Sequence, residues 1–168
     1  VPNEEMLNEG FWCAIGEENG EELTLTEALK RLASHAAAVV AIGTCSSFGG
    51  IPAASGNPTG ARGVWDVLGR SWKSKLGIPI INLPGCPPPG DWQVEILAYL
   101  LLQVLDVVPP LELDEYNRPV KIYGKLAHEQ CPRAGFYAAG VFASSYGEPY
   151  CLYRLGCKGP VAHCNVPE

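Results

Sequence analysis

Apolar and polar positions follow two different periods along this chain. Between Leu25 and Ala36, the residues Leu25, Ala28, Leu29, Leu32 and Ala36 recur at helical steps and mark one face of a helix. Thr24-Leu25-Thr26-Glu27 opens it as a capping box, with Thr24 accepting from a first-turn N–H and Glu27 reaching back. His35 near the end of that helix suits the helix dipole and reads as structural. Ala37–Gly43 and Ile78–Leu83 are continuous apolar runs rich in β-branched residues, the pattern of parallel strands covered on both faces. Pro79 puts the second run near a strand start or an edge. Gly10–Gly16 reads as a further short strand, with Cys13 as a small core residue. Residues 63–68 suggest a short helix. Asp91 can cap a longer one that runs to about Leu105, apolar from Ile96 onward and bracketed by Glu95 and Asp106. That run is too short to span a bilayer.

Each of the two apolar runs feeds a turn that carries one cysteine. The first gives Thr44-Cys45-Ser46-Ser47-Phe48-Gly49-Gly50, the second Pro84-Gly85-Cys86-Pro87-Pro88-Pro89-Gly90. Open α/β sheets hold ligands outside the carboxyl ends of their strands. If the two strands are neighbours, Cys45 and Cys86 share one crevice. Val108-Pro109-Pro110 ends the long helix, and Tyr116-Asn117-Arg118-Pro119 reads as a turn. Beyond this the regular periods give way to Gly- and aromatic-rich loops. The expected organisation is an α/β domain over 1–110 and an irregular, loop-rich domain over 111–168.

Composition narrows the function classes. With 47% hydrophobic residues and 18% charged, the 168 residues suit a globular core. A net charge of −6 without any basic stripe excludes nucleic acid as an electrostatic partner. Nineteen Gly and 15 Pro imply many tight turns. Seven Cys is an odd number, which disfavours a closed disulfide framework and favours reduced thiolates for metal. Trp12, Trp65, Trp72 and Trp92 are expected in the core rather than at an interface.

The candidate chemistry lies mainly between His128 and Cys164. His128 precedes Cys131 as His-x-x-Cys, and Cys151 precedes Cys157 as Cys-x5-Cys. Spacing leaves two readings equally open: tetrahedral zinc on one His and three Cys, or an iron–sulfur cluster with one His ligand. The number of thiolates exceeds what one site needs, Cys164 could serve a second site, and Cys45 and Cys86 lie in another domain. Several separate sites suit electron relay better than structural zinc. Neutral imidazole in place of thiolate leaves a cluster less negative and raises its potential. His163, next to Cys164, is a weaker alternative ligand.

Four motifs carry a family resemblance: Ala41 to Gly50, Pro84 to Pro88, His128 to Arg133, and Cys151 to Pro160. Together, in this order and spacing, they resemble the small subunit of [NiFe] hydrogenases. The resemblance implies a flavodoxin-like domain followed by a cluster-binding domain, with three iron–sulfur clusters. Cys45 and Cys86 match the last two ligands of the proximal cluster, whose first two belong to an upstream Cys-x-x-Cys. His128, Cys131, Cys151 and Cys157 match the full distal set, implying [4Fe-4S]. Cys164 matches the first medial ligand, and the other two are expected downstream. The proximal and medial nuclearities are left at [4Fe-4S] or [3Fe-4S]. On this pattern the sequence reads as an internal segment of a longer subunit.

The implied role is electron transfer from H2 oxidation at a nickel–iron centre held by a partner large subunit. Electrons pass to an external acceptor: a cytochrome, a quinone-linked protein or another redox protein. The apolar, Pro/Gly-rich surface near the two cysteine turns is expected to face the large subunit, and the heterodimers could associate further. Gly50 stands where oxygen-tolerant members carry an extra cysteine, so that type is not implied. The ending Cys164-Asn165-Val166-Pro167 resembles cytoplasmic uptake-type subunits, giving a cytoplasmic or peripherally membrane-associated expectation, with a periplasmic one still open. Two alternatives remain: a respiratory complex subunit of related fold with a single cluster, and a structural zinc protein.

Overall fold

The computed structural model describes residues 1–2 and 12–167. The chain divides into two units, Val1–Arg118 and Pro119–Glu168. Residues up to Arg118 stay with the first because the 111–118 segment bonds back to it. Leu111 N–H donates to Gln103 Oε1 at 2.9 Å, and Asn82 donates to the carbonyls of Asn117 (N–H, 2.8 Å) and Tyr116 (Nδ2, 2.9 Å). The Asp114–Arg118 ion pair closes the turn at 2.7 Å.

The first unit mixes helix and sheet. It opens with an antiparallel hairpin, β1 (Ala14–Glu18) and β2 (Glu21–Thr24). The strand expected over Gly10–Gly16 therefore starts later. Its first residues, Gly10 and Phe11, lie outside the described ones. The hairpin follows from Asn19-Gly20, both at positive φ (56° and 84°), as a type I′ turn requires. Cys13 precedes β1 and is only half-buried, and Trp12 is 39% exposed, so neither is the core residue expected. Every residue of β1 is exposed. Glutamates face one another across the hairpin, Glu17 with Glu22 and Glu18 with Glu21. Arg31 offsets this charge by bonding Glu18 and, at 2.6 Å, Glu27. The hydrogen bond to Glu18 is the main reason the guanidinium pKa is raised further.

Helix α1 (Leu25–Ala33) starts as its sequence directs: Glu27 N–H donates to Thr24 Oγ1 at 3.1 Å. The second half of the capping box does not form, because the Glu27 carboxylate is engaged by Arg31. Thr26, Ala28 and Ala33 are its buried residues, while Leu32 is 72% exposed. His35 Nδ1 sits 3.1 Å from the Arg31 carbonyl oxygen and 2.8 Å from Ser34 Oγ, a structural role at the helix end.

Two strands run parallel and in register: β3 (Val40–Ile42) and β4 (Ile81–Leu83), with Val40 beside Ile81 and Ile42 beside Leu83. Both are shorter than the apolar runs that contain them. Pro79 has no N–H for the ladder and instead bridges to Lys73, so pairing begins at Ile81, whose N–H donates to Val39 O at 3.0 Å. Short helices α2 (Thr44–Phe48) and α3 (Val64–Leu68) flank the sheet, and α4 (Gly90–Val104) follows β4. Ala41, Val64, Trp65 and Ile80 form a buried cluster, with Leu29 and Trp72 packed against it. Ile80, Ile81, Asn82 and Leu83 have no exposed surface.

The second unit has little regular structure: α5 (Val120–Tyr123), α6 (Ala134–Ala138) and one 3-10 turn over Leu152–Leu155. Isolated bridges, Leu126 with His163 and Phe142 with Cys151, take the place of a sheet. No described helix is long and apolar enough to cross a membrane.

Ile81 opens β4 opposite Val40 and has no exposed surface. Replacing it with alanine is expected to cost about 3 kcal/mol. Chemical denaturation should show a lower midpoint with an unchanged slope.

Candidate metal centre

The turns after β3 and β4 are joined backbone to backbone. Gly43 N–H donates to Leu83 O and Thr44 N–H to Gly85 O, each at 2.9 Å. The Thr44 hydroxyl lies 3.1 Å from both the N–H and the carbonyl oxygen of Gly85, accepting from one and donating to the other. Cys45 and Cys86 are the next residue on each side of this clamp, and both are exposed. The Ser47 hydroxyl, fully buried, donates to Ala41 O at 2.9 Å, and the Ser46 hydroxyl donates to Ile42 O. The hydroxyls of Thr44, Ser46 and Ser47 thus tie the cysteine turn to its own strand and to the neighbouring one.

Two glycines are required by this geometry. Gly50 has φ 59°, and a Cβ there would stand 2.6 Å from Cys45 Sγ. A Cβ on Gly85 would stand 2.5 Å from Pro88 Cα. A cavity of about 470 Å³ opens beside Cys45, walled by Leu25, Leu29, Pro52, Ala61 and Val64.

In the second unit, His128, Cys131, Cys151, Cys157 and Cys164 all line one cavity of about 250 Å³. Local backbone bonds deliver each of them. His128 N–H donates to Gly159 O at 3.0 Å, and Ala127 N–H to Ala162 O at 2.8 Å, so the first donor is laid along the Gly159–Ala162 segment. Cys131 N–H donates to His128 O at 3.2 Å, which completes a turn between these two donors. Ala143 N–H donates to Cys151 O at 2.9 Å and seats Cys151, which is buried. Gln130 Nε2 donates to Cys164 O at 3.0 Å and draws the end of the segment to the same wall. His163 is exposed and engaged in the bridge to Leu126.

Two sulfurs receive backbone hydrogen bonds: Cys131 Sγ from Arg133 N–H at 3.4 Å and Cys157 Sγ from Gly159 N–H at 3.3 Å. Such bonds stabilise negative charge on sulfur and are one of the protein's means of setting cluster potentials. Arg133 also donates through Nη1 to the carbonyls of Tyr150 (3.0 Å) and Glu148 (3.2 Å), just before Cys151. One arginine therefore organises the surroundings of two donors.

A structural zinc holds its ligands within about 2.3 Å of one point. Among the described residues no group of three or more His, Cys, Asp or Glu is arranged around a single ion. The donors instead surround a cavity, an arrangement that fits a multi-iron cluster whose ligands bind different irons.

Cys164, expected at a separate site, lines the cavity of the other four. Arg133, Tyr137, Tyr153 and Lys158 also line it. Arg133, Tyr153 and Lys158 fall inside the motifs His128 to Arg133 and Cys151 to Pro160, whereas Tyr137 has no signal beyond the aromatic richness of the 111–168 region.

Comparison with known proteins agrees with these two regions. Residues 13–100 match the family described as NADH ubiquinone oxidoreductase, 20 Kd subunit. Residues 123–168 match the C-terminal family of the NiFe/NiFeSe hydrogenase small subunit. The periplasmic [NiFeSe] hydrogenase small subunit of Desulfomicrobium baculatum is 40% identical over 167 residues, covering 95% of this chain and 52% of that protein. The hydrogenase-2 small chain of Escherichia coli K12 is 37% identical over 165 residues, covering 95% and 40%. Among solved structures, the actinobacterial-type NiFe-hydrogenase from Ralstonia eutropha H16 superposes with a TM-score of 0.92 at 47% identity, covering 99% of this chain and 49% of that one. The chain spans about half the length of the curated relatives it matches.

Glu148 gives the loop before Cys151 a pH dependence. The Ser144 hydroxyl, followed by that of Ser145, donates to its carboxylate (2.8 Å each), with help from both backbone N–H groups, and this lowers its pKa. A carboxylate favoured by folding contributes stability above its unfolded pKa and loses it as pH falls through the lowered folded value. Replacing Ser144 and Ser145 together with alanine should raise the Glu148 midpoint in an NMR titration toward the ordinary carboxylate range.

Proposed function

The chain belongs to the [NiFe] hydrogenase small subunits, sharing its first-unit family with the NADH ubiquinone oxidoreductase 20 Kd subunit, and on that footing we propose that it is the electron relay of a hydrogen-oxidising heterodimer. The observation that carries this reading is the cavity on which His128, Cys131, Cys151 and Cys157 converge. The first domain is flavodoxin-like, and its parallel pair carries Cys45 and Cys86 at the strand ends. The domain over 111–168 holds the remaining donors.

Iron–sulfur clusters, when bound, supply one-electron acceptors and donors. Cys45 and Cys86 would hold part of the proximal cluster. His128, Cys131, Cys151 and Cys157 would hold the distal cluster, of the [4Fe-4S] type, and Cys164 part of the medial one. The proximal and medial types are [4Fe-4S] or [3Fe-4S]. His128 contributes no negative charge as a neutral ligand, so it favours the reduced state relative to a fourth thiolate. The N–H groups of Arg133 and Gly159 do the same by stabilising charge on Cys131 and Cys157. Cys151 is buried, and the Tyr137 ring packs edge-to-face on His128, which puts apolar surface beside these donors.

Hydrogen oxidation itself belongs to the nickel–iron centre of a large-subunit partner. Electrons would leave from the His128 side to a cytochrome, a quinone-linked protein or another redox protein. The compartment that goes with this reading is cytoplasmic or peripheral at a membrane, although three of the similar proteins are named periplasmic. A single-cluster respiratory subunit shares the 13–100 match and lacks a reason for the donors beyond His128.

Anaerobically purified protein with its partner should contain iron and acid-labile sulfide and give low-temperature EPR signals on reduction with H2. Zinc without iron would overturn the proposal. His128→Cys adds one thiolate charge, and potentiometric EPR should place the distal midpoint at a more negative value than in the unaltered protein.

A further inference from the structure

A thiolate ligand offers one sulfur, and rotation of its side chain leaves the donor atom the same. An imidazole ring is not symmetric about χ2: a half-turn puts a carbon where each nitrogen stood, and this torsion has broad twofold freedom. Ligating histidines are therefore usually fixed by a hydrogen bond from the second nitrogen. Among the described residues neither ring nitrogen of His128 has such a partner. What the ring does have is Tyr137. The two ring centroids lie 4.6 Å apart with the planes at 68°, an edge-to-face contact at the close end of the usual range.

Tyr137 is itself held. It lies on α6, only a few residues beyond Cys131, and is half-buried. Tyr153 packs against it at 5.1 Å and 85°, and Phe142 at 6.0 Å and 87°. Phe142 and Tyr153 touch each other at 6.1 Å, closing a three-ring cage, and the Arg154 guanidinium covers Phe142 at 4.8 Å. His128, Tyr137 and Tyr153 all line the donor cavity. The cage therefore stands on the side of the one donor that needs its orientation fixed.

We propose that Tyr137 is a positioning residue for His128: its ring selects one imidazole orientation and keeps water from that ligand. This rests on the reading of His128 as a cluster ligand. The contact is made by the ring, so the hydroxyl contributes nothing to it. Loss of the ring frees the imidazole and admits water, which stabilises the state of higher charge and raises the potential.

The test uses the anaerobically purified native assembly with Tyr137→Phe and Tyr137→Leu, and Tyr137→Met should the leucine variant fail to assemble. Pulsed EPR reads the 14N coupling of the histidine on the reduced distal cluster, and potentiometry reads its midpoint. Tyr137→Phe should match the unaltered protein in both. The ringless variants should show a changed or split 14N coupling and a midpoint shifted to more positive values. If a ringless variant keeps both, the positioning role is overturned while His128 remains a ligand. If the unaltered protein shows no 14N coupling on any cluster, the ligand reading fails and this proposal with it.

Discussion

The Thr44 hydroxyl, bonded in both directions to the backbone of Gly85, is the contact on which the first unit's chemistry depends. It lies where two parallel strands end, and it converts strand pairing into turn pairing. Together with the backbone bonds from Gly43 N–H to Leu83 O and from Thr44 N–H to Gly85 O, it carries the in-register ladder past Ile42 and Leu83 and holds the two cysteine turns side by side. The surrounding choices follow from that clamp. Ser47 must be buried to reach the Ala41 carbonyl, and Gly50 must lack a side chain because Cys45 Sγ occupies the space. Gly85 must lack one because Pro88 does. The polar and glycine content of the two turns is thus the cost of bringing two sulfur-bearing segments side by side.

The second unit solves the same problem without a sheet. Its donors arrive from segments separated by as much as the distance from His128 to Cys157 in sequence, and few repeating hydrogen bonds connect them. Single contacts take over: Gly159 with His128, Ala143 with Cys151, Gln130 with Cys164, and Arg133 with the loop before Cys151. Aromatic rings supply the apolar contact that helices would provide elsewhere, since each ring buries a large area from a short stretch of chain. A unit built this way gains much of its order from what it binds, as metal-held domains generally do.

Legibility in sequence varied with how local the cause was. The cap of α1, the strand–turn placement of Cys45 and Cys86, and the change of character toward the end of the chain all rest on neighbouring residues. The hairpin at Asn19-Gly20 also rested on a local signal, but the flanking glutamates hid the strands because every residue of β1 is exposed and leaves no apolar alternation to read. Trp12 misled for the opposite reason: its apolar surface says nothing about whether another segment covers it. The apolar runs 37–43 and 78–83 were longer than the strands within them, because Pro79 ends the ladder and no local pattern shows which residues its neighbour will pair with.

The order of residues alone established which side chains could act as donors and that they fall in two groups. Spacing left zinc and cluster equally open, because one-dimensional distance does not say whether four donors meet at a point or surround a volume. Folding adds what spacing lacks: the donors line a cavity with backbone N–H groups on two of the sulfurs, and Cys164 joins its wall. The ring of Tyr137 on His128 belongs to the same class of fact. Contacts between rings depend on where α6 and the Leu152–Leu155 turn come to rest, and that is fixed by long-range packing rather than by any residue's immediate neighbours.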